Sequence, residues 1–238
     1  RLVDFPDVRR MLLTMRAQIA AMRALSYVAA AAVEAGLRAA DPAQREAAAG
    51  RVALLTPVCK SWCTDLACEV ASLNIQIHGG MGFIEETGAA QHLRDARILP
   101  IYEGANGIQA LDLAARKLAM EEGRLPWRLF AELRDELPVL PHRENLAAAL
   151  AALEQATRTV QADAALAQAA ASPYLRLFGS VLGAFLLARG AAAAGDGGTG
   201  ESGGDWPSLA RFYVRHLLPP VLGLATVVAA GADGLDLA

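Results

Sequence analysis

Apolar residues recur at intervals of three or four along most of the chain, the spacing that places them on one face of an α-helix. The first such segment starts near Pro6 and stops before Asp41-Pro42. Asp4 is in position to cap this helix, and proline suits its first turn. The apolar stripe consists of Val8, Leu12, Met15, Ile19, Met22, Ala29 and Val33. The pattern predicts one long helix with a bundle-type apolar face.

A second long helix is predicted from about Ala43 to the glycines that begin at Gly79. Pro57 should kink this helix or mark a late start, because proline removes one intrahelical hydrogen bond. Its apolar stripe consists of Val52, Leu55, Cys59, Trp62, Leu66, Val70, Leu73 and Ile77. The segment is therefore expected to pack lengthwise against the first helix.

Two shorter helices follow in the pattern. One carries residues 91–97, with Thr87 as its cap, and the other begins at Asn106 with Gln109 three residues later, a spacing similar to a capping box. The second is predicted to bury Ile108, Leu111, Ala115 and Leu118. Two long and two short helices with compact links predict a four-helix bundle over residues 1–122.

Residues 123–126 interrupt the pattern, and we place a domain boundary there. The remainder, 123–238, is predicted to form a smaller helical extension. Its helices are expected over residues 127–137, 143–170, 173–191 and 208–230. The Gly/Ser/Asp-rich stretch near 195–204 is predicted to be a flexible loop. No alternating strand-like run occurs in the sequence, so the predicted fold class is all-α.

Composition narrows the choice of function. Of the 238 residues, 54% are hydrophobic, but many of these are alanine, which favours helix. The longest apolar run, 217–232, contains two prolines and is shorter than a membrane-spanning helix needs. A net charge of −3 gives no basic footprint for nucleic acid. We therefore expect a cytoplasmic protein with no membrane span and no nucleic-acid partner.

The three cysteines, Cys59, Cys63 and Cys68, fall within ten residues of a predicted helix. An odd number argues against a disulfide framework. No fourth His or Cys lies at the usual spacing for a zinc site. The sequence predicts free, buried thiols and no metal.

Candidate chemistry is concentrated in two strings, Q-I-H-G-G-M-G-F-I-E-E from Gln76 and R-D-A-R-I-L-P-I-Y-E-G-A-N-G-I-Q from Arg94. In the second string Glu103 lies between Tyr102 and Gly104, after apolar residues. A carboxylate in an apolar setting is a candidate general base. Taken alone, such a glutamate is more often a solvated acid in the first turn of a helix.

Together the two strings resemble the C-terminal helical domain of the flavin-dependent acyl-CoA dehydrogenases. The hallmark lines of that family read Q-I-x-G-G-x-G-[FY]-x-x-E and R-D-A-x-[IV]-x-x-I-Y-E-G-[TA]-x-x-I-Q. The resemblance covers about residues 1–120. By position and helicity alone, the remainder is similar to the extension of the longer members, including those that act on methylmercaptopropionyl-CoA. Because this domain follows a helical domain and a β-domain in the family, we expect the chain to be a C-terminal fragment.

The resemblance implies α,β-desaturation of an acyl-CoA thioester, with Glu103 as the base and FAD as the hydride acceptor. It implies that Tyr102 and Gly104 line the substrate pocket. It assigns contacts with the FAD of a neighbouring subunit to Gln76, Ile77, His78, Gly79 and Gly80. Contacts with the subunit's own FAD fall to Ala105, Asn106 and Gly107. Threonine is commoner in the family at the first of these three positions, and Glu or Gln at the third.

The resemblance further implies a homodimer or homotetramer and an electron acceptor such as electron-transfer flavoprotein. Without the β-domain, the isolated chain is expected to lack FAD and activity. The alternative is a non-catalytic helical module of the same fold that holds subunits together. The sequence leaves open the acyl-chain length and the identity of the electron acceptor.

Overall fold

The computed structural model describes residues 1–195 and 205–235, in which helices and short connections alternate and no strand occurs. The predicted all-α class is confirmed. Except for Gly195, the predicted flexible loop at 195–204 lies outside the described residues.

The first half of the chain contains four α-helices of six or more residues, α1 (Pro6–Arg38), α2 (Pro42–His78), α3 (Ala89–Arg97) and α4 (Asn106–Leu111), and one helical turn over Gly80–Phe83. Pro6 is the first residue of α1, as predicted, but the residue before it caps the helix, so capping by Asp4 is wrong. Asp41 caps α2 by accepting a hydrogen bond of 2.9 Å from the amide of Ala43. Pro57 lies inside a continuous α2, which excludes a late start.

The described residues of the second half form seven α-helices: α5 (Leu125–Glu136), α6 (Arg143–Ala162), α7 (Ala164–Ala169), α8 (Ala171–Ala194), α9 (Trp206–Phe212), α10 (Leu218–Leu222) and α11 (Leu224–Ala230). The prediction of one helix over 143–170 is wrong. Asp163 adopts an extended conformation and its carboxylate accepts the amides of Ala165 and Leu166 at 2.8 and 3.2 Å. An aspartate that caps the next helix ends the previous one.

The predicted apolar faces of α1 and α4 are partly wrong. Helix α1 buries mainly small side chains, and Ile19 and Val33 of the predicted stripe are exposed. The buried positions of α1 are Met11, Thr14, Ala17, Gln18, Ala21, Leu25 and Ala32. Helix α4 continues as a π-helical segment, Asp112–Lys117, which shifts the register. Leu118 is buried as predicted, whereas Ile108, which lies before this segment, is 60% exposed.

Helix α8 is the most buried long helix and packs against α1, α2, α4 and α6. Its residues Gly179 and Gly183 make room for the indole of Trp62, which is fully buried. A Cβ atom at Gly179 would lie 2.4 Å from Cγ of this tryptophan. The indole Nε1 donates a hydrogen bond of 3.0 Å to Oγ of Ser180. We call these four residues the junction, because they join α2 to the extension in one continuous core.

The predicted boundary near residue 123 coincides with a chain reversal. Glu121, Glu122 and Gly123 all have positive φ. Packing continues across this point, since Arg176 of α8 forms a bidentate ion pair of 2.5 and 3.0 Å with Glu69 of α2. The division into two domains stays a prediction. The residues before and after position 123 contribute to one hydrophobic core.

By length and composition alone, three described segments are apolar enough to cross a membrane: Pro6–Arg38, Ala171–Ala194 and Trp206–Ala230. Charged residues or prolines interrupt each of these segments, so none of them is one uninterrupted apolar run of spanning length. In Ala171–Ala194 72% of the apolar window is buried inside the protein, compared with 17% and 22% in the other two. The absence of a membrane span stays a prediction.

Candidate active site

Residues Ile98 to Ala105 form the loop between α3 and α4, which we call the motif loop. The amide of Asn106 donates a hydrogen bond of 2.9 Å to the carbonyl of Pro100 and closes it. Glu103 and Gly104 both have positive φ, at 53° and 85°. For a non-glycine residue this conformation costs on the order of 1 kcal/mol. The loop thereby holds Glu103 in a defined backbone conformation on the surface.

Most side chains of the motif loop are exposed, and Leu99 and Pro100 are half-buried. Tyr102 is 46% exposed, and Ile98 and Ile101 are each more than half exposed. Glu103 is exposed among them. The predicted apolar setting is therefore present, but the described residues of this chain do not enclose the carboxylate. Any group that desolvates Glu103 must come from outside them.

Asn106 does not cap α4, contrary to the sequence prediction. The capping residue is Ala105, without a side-chain hydrogen bond, and Asn106 is the first helical residue. Its side chain instead reaches α2, where it contacts Lys60, Ser61, Thr64 and Asp65. The side-chain amide of Gln109 lies 3.5 Å from the carbonyl oxygen of Glu103.

The segment 76–80 forms the end of α2. Gly79 has φ of 59° and terminates the helix, and Gly82 packs onto its last turns. A Cβ atom at Gly82 would lie only 2.3 Å from the carbonyl oxygen of Ile75, so only glycine fits there. Gly80 is open, with nothing within 4 Å of an added Cβ. The glycines thus form a helix-terminating turn, and their contact with a cofactor stays a prediction.

The structure does not bring the two groups of predicted site residues together within this chain. Asn106 touches α2 at Thr64, and Gln76 lies twelve residues further along the same helix. At a rise of 1.5 Å per residue, this separation is about 18 Å. A single copy of the chain therefore does not present both groups at one point.

The polar cluster under the motif loop was missed in the sequence. Lys60 and Ser61, followed by Thr64 and Asp65, lie on the side of α2 that faces α4. The available signal was the interruption of an apolar stripe by four polar residues at helical spacing. We now include this cluster in the candidate site.

The three cysteines are free, as predicted, and each is partly buried. Burial raises the pKa of the Cys59 thiol to about 11. Burial, followed by the nearby Cys59, raises the pKa of the Cys63 thiol to about 12. Among residues 1–195 and 205–235, no group of His, Cys, Asp and Glu side chains could hold a metal ion.

Comparison with protein families identifies two matching segments. Residues 1–118 match the model described as "Acyl-CoA dehydrogenase, C-terminal domain". Residues 129–237 match the model described as "Acetyl-CoA dehydrogenase C-terminal like". Together they cover nearly all of the chain, on either side of the reversal near residue 123.

Individual relatives agree with these models. The chain is 42% identical to a 3-methylmercaptopropionyl-CoA dehydrogenase of Ruegeria pomeroyi, over 81% of this chain and 35% of the relative. It is 36% identical to a butyryl-CoA dehydrogenase of Syntrophomonas wolfei, over 57% and 22%. The chain thus spans about a third of the length of the first relative and about a fifth of the second.

Two solved structures have the same fold. ACDH-11 of Caenorhabditis elegans, in complex with C11-CoA, matches with a TM-score of 0.70 at 22% identity, over 97% of this chain and 40% of that one. An acyl-CoA dehydrogenase of Bacillus anthracis, complexed with FAD, matches with a TM-score of 0.67 at 19% identity, over 98% and 43%. At these identities the likeness concerns the fold alone.

Proposed function

Because the chain belongs to the acyl-CoA dehydrogenase family, we propose that it is the C-terminal part of an FAD-dependent enzyme that desaturates an acyl-CoA thioester. Glu103 is the proposed base. The observation that carries this assignment is the motif loop, which presents one carboxylate in a fixed conformation on an exposed apolar surface.

In the proposed reaction the thioester loses a proton from its α carbon and a hydride from its β carbon, leaving a double bond between them. The Glu103 carboxylate takes the proton. Bound FAD supplies the acceptor for the hydride. An exposed carboxylate is a poor base for so weak an acid. The exposed side chains of Ile98 and Ile101 offer an apolar surface for an acyl chain, and the bound chain would then exclude water from Glu103. Tyr102 and Gly104 are the proposed pocket neighbours.

The proposed FAD contacts at Ala105, Asn106 and Gly107 are mainly backbone contacts. The Asn106 carboxamide is already engaged by α2, and alanine offers no polar side chain. Gly107 is open, with nothing within 4 Å of an added Cβ, so a ligand can reach its peptide group. The open glycines Gly79 and Gly80 offer the same access at the end of α2. We propose that Gln76, Ile77 and His78 accompany them in contacting the FAD of a second subunit.

We further propose a cytoplasmic homodimer or homotetramer that passes electrons to an electron-transfer flavoprotein. The alternative is a non-catalytic oligomerisation module. One observation favours it: α1 carries a second apolar face, with Tyr27 and Leu37 exposed by 65% and 77%. An exposed apolar face of this kind can bind another subunit, whether or not the protein is a catalyst.

The decisive experiment replaces Glu103 by Gln in the full-length protein. The amide keeps size and polarity but cannot accept a proton, and loss of a positioned base typically costs about 10²–10⁴-fold. We expect FAD and acyl-CoA binding to persist, while reduction of the flavin, followed as bleaching after anaerobic mixing, falls by at least that factor.

Glu103→Asp should be partly active, because it withdraws the carboxylate by one methylene. Glu46→Gln, at an exposed carboxylate on α2, is the control and should bleach at the wild-type rate. Wild-type bleaching by the Glu103→Gln variant would exclude Glu103 as the base. If the unmodified full-length protein binds no FAD, the oligomerisation module becomes the better description.

A further inference from the structure

The carboxamide of Asn106 is held by α2 through both of its N–H donors and through its oxygen. Its Nδ2 lies 2.7 Å from Oδ1 of Asp65, 2.9 Å from Oγ1 of Thr64 and 3.1 Å from the carbonyl of Ser61. Its Oδ1 accepts from Nζ of Lys60 at 2.8 Å and lies 3.2 Å from Oγ1 of Thr64. Both N–H donors of the amide are therefore engaged, and its oxygen accepts from Lys60, which fixes the orientation of the side chain.

The same residue closes the motif loop through its backbone. Its N–H donates to the carbonyl of Pro100, six residues earlier, at 2.9 Å. Glu103 lies between these two points, three residues before Asn106. The motif loop is therefore closed on itself and tied to α2 by one residue. The far side of α2 is in turn held by the junction, where Trp62 packs against α8.

We propose that Asn106 is a positioning residue for the Glu103 carboxylate, an inference that rests on the proposed function. Three other backbone hydrogen bonds of the loop, donated by Leu99, Ile101 and Tyr102, all lie before Glu103. Glu103 itself is exposed and sits in a strained left-handed conformation, and the contact of Gln109 with its carbonyl is long. The tie of Asn106 to α2 lies three residues after Glu103 and offsets the strain there. Charged partners make such hydrogen bonds stronger than neutral ones, and Asn106 has two, Lys60 and Asp65.

Two threonines on α2 provide a matched test. The hydroxyls of Thr64 and Thr56 each donate to the carbonyl four residues earlier at 2.7 Å, but only Thr64 also touches Asn106. Replacing either by Val removes the same local hydrogen bond at the same size. A difference between the two variants then reports the contact with Asn106.

The experiment compares Asn106→Ala, Thr64→Val and Thr56→Val in the full-length protein with FAD bound. We expect Asn106→Ala to lower the limiting rate of flavin reduction by about 10²-fold, the typical cost of a misplaced reacting group. Thr64→Val should lower it about fivefold, the equivalent of one neutral hydrogen bond. Thr56→Val should leave it unchanged. The acyl-CoA concentration at half-saturation should stay at the wild-type value in all three.

Amide hydrogen exchange, read by mass spectrometry on peptides covering residues 98–109, separates positioning from other effects. Asn106→Ala should accelerate exchange in the motif loop and leave exchange in α8 unchanged. Two results for Asn106→Ala would overturn the inference. One is slower flavin reduction with unchanged amide exchange in the motif loop. The other is accelerated exchange in the loop with flavin reduction at the wild-type rate, while Glu103→Gln is inactive. If Glu103→Gln itself reduces flavin normally, the proposed function fails; unchanged loop exchange in Asn106→Ala would refute the positioning role separately.

Discussion

The two faces of α2 are built on different principles. At the junction, Trp62 is fully buried and two glycines of α8 are shaped around its indole. On the face toward α4, Lys60 and Asp65 form hydrogen bonds with Asn106, the residue that closes the motif loop, and most of the loop itself remains exposed. The first region is stabilised by close packing of apolar groups, and the second by hydrogen bonds between polar side chains. Stability should therefore reside mainly at the junction, and the proposed chemistry in the motif loop.

The largest expected effect is that of Trp62→Ala. Removing a fully buried tryptophan typically costs about 3–5 kcal/mol, because a cavity remains. Trp127→Ala is the matched control, since that indole is only partly buried, donates to Gln161 and stacks under Arg158. Its cost in the free energy of unfolding should be clearly smaller. Urea denaturation of both variants measures the difference, and equal costs would contradict the assignment of stability to the junction.

The next prediction concerns the rate at which the buried thiols of α2 react. Because burial raises the pKa of Cys59 to about 11 from 9.0, its thiolate fraction near pH 8 should be about 100-fold lower than in the unfolded chain. Iodoacetamide should modify it correspondingly slowly, and the rate should rise with pH up to about 11. Peptide mass spectrometry measures the rate for each cysteine.

The same protein in guanidinium chloride serves as the control for this experiment, since there the thiols should react without the effect of burial. The sign for stability follows from the same shift. The contribution of the buried thiol is fully present below about pH 9 and is lost as the pH rises through about 11. If Cys59 is modified at the same rate in the native and the denatured protein, its packing against the core is contradicted.

The smallest effects come from a pair of glycines. Gly179→Ala at the junction should destabilise the protein by about 1–3 kcal/mol, because its Cβ would overlap Trp62. Gly107→Ala in α4 has free space and a helical backbone, so it should stabilise by about 0.4–1 kcal/mol. Opposite signs in thermal denaturation support the comparison. A neutral Gly179→Ala would mean that α8 moves away easily.

The sequence located the candidate site residues more completely than it predicted the contacts between helices. The two motif strings located Glu103 and the terminal glycines of α2, since they are local strings of residues whose identity can be read directly. The role of Asn106 was misassigned, because its position before an apolar run is typical of a helix cap. Its actual partners lie more than forty residues earlier in the chain. Nothing local to Asn106 signals them.

The sequence by itself determined the helical class, the approximate extent of α1 and α2, and the location of the motif loop, because periodicity and proline positions act over a few residues. Tertiary structure alone decided which face of α1 is buried, how the π-helical segment turns α4, and that α8 joins α2 at Trp62. An alanine-rich helix carries a weak hydrophobic signal on every face. Its buried face is therefore selected by how closely a neighbouring helix can approach, which is a property of the partner as much as of the helix itself.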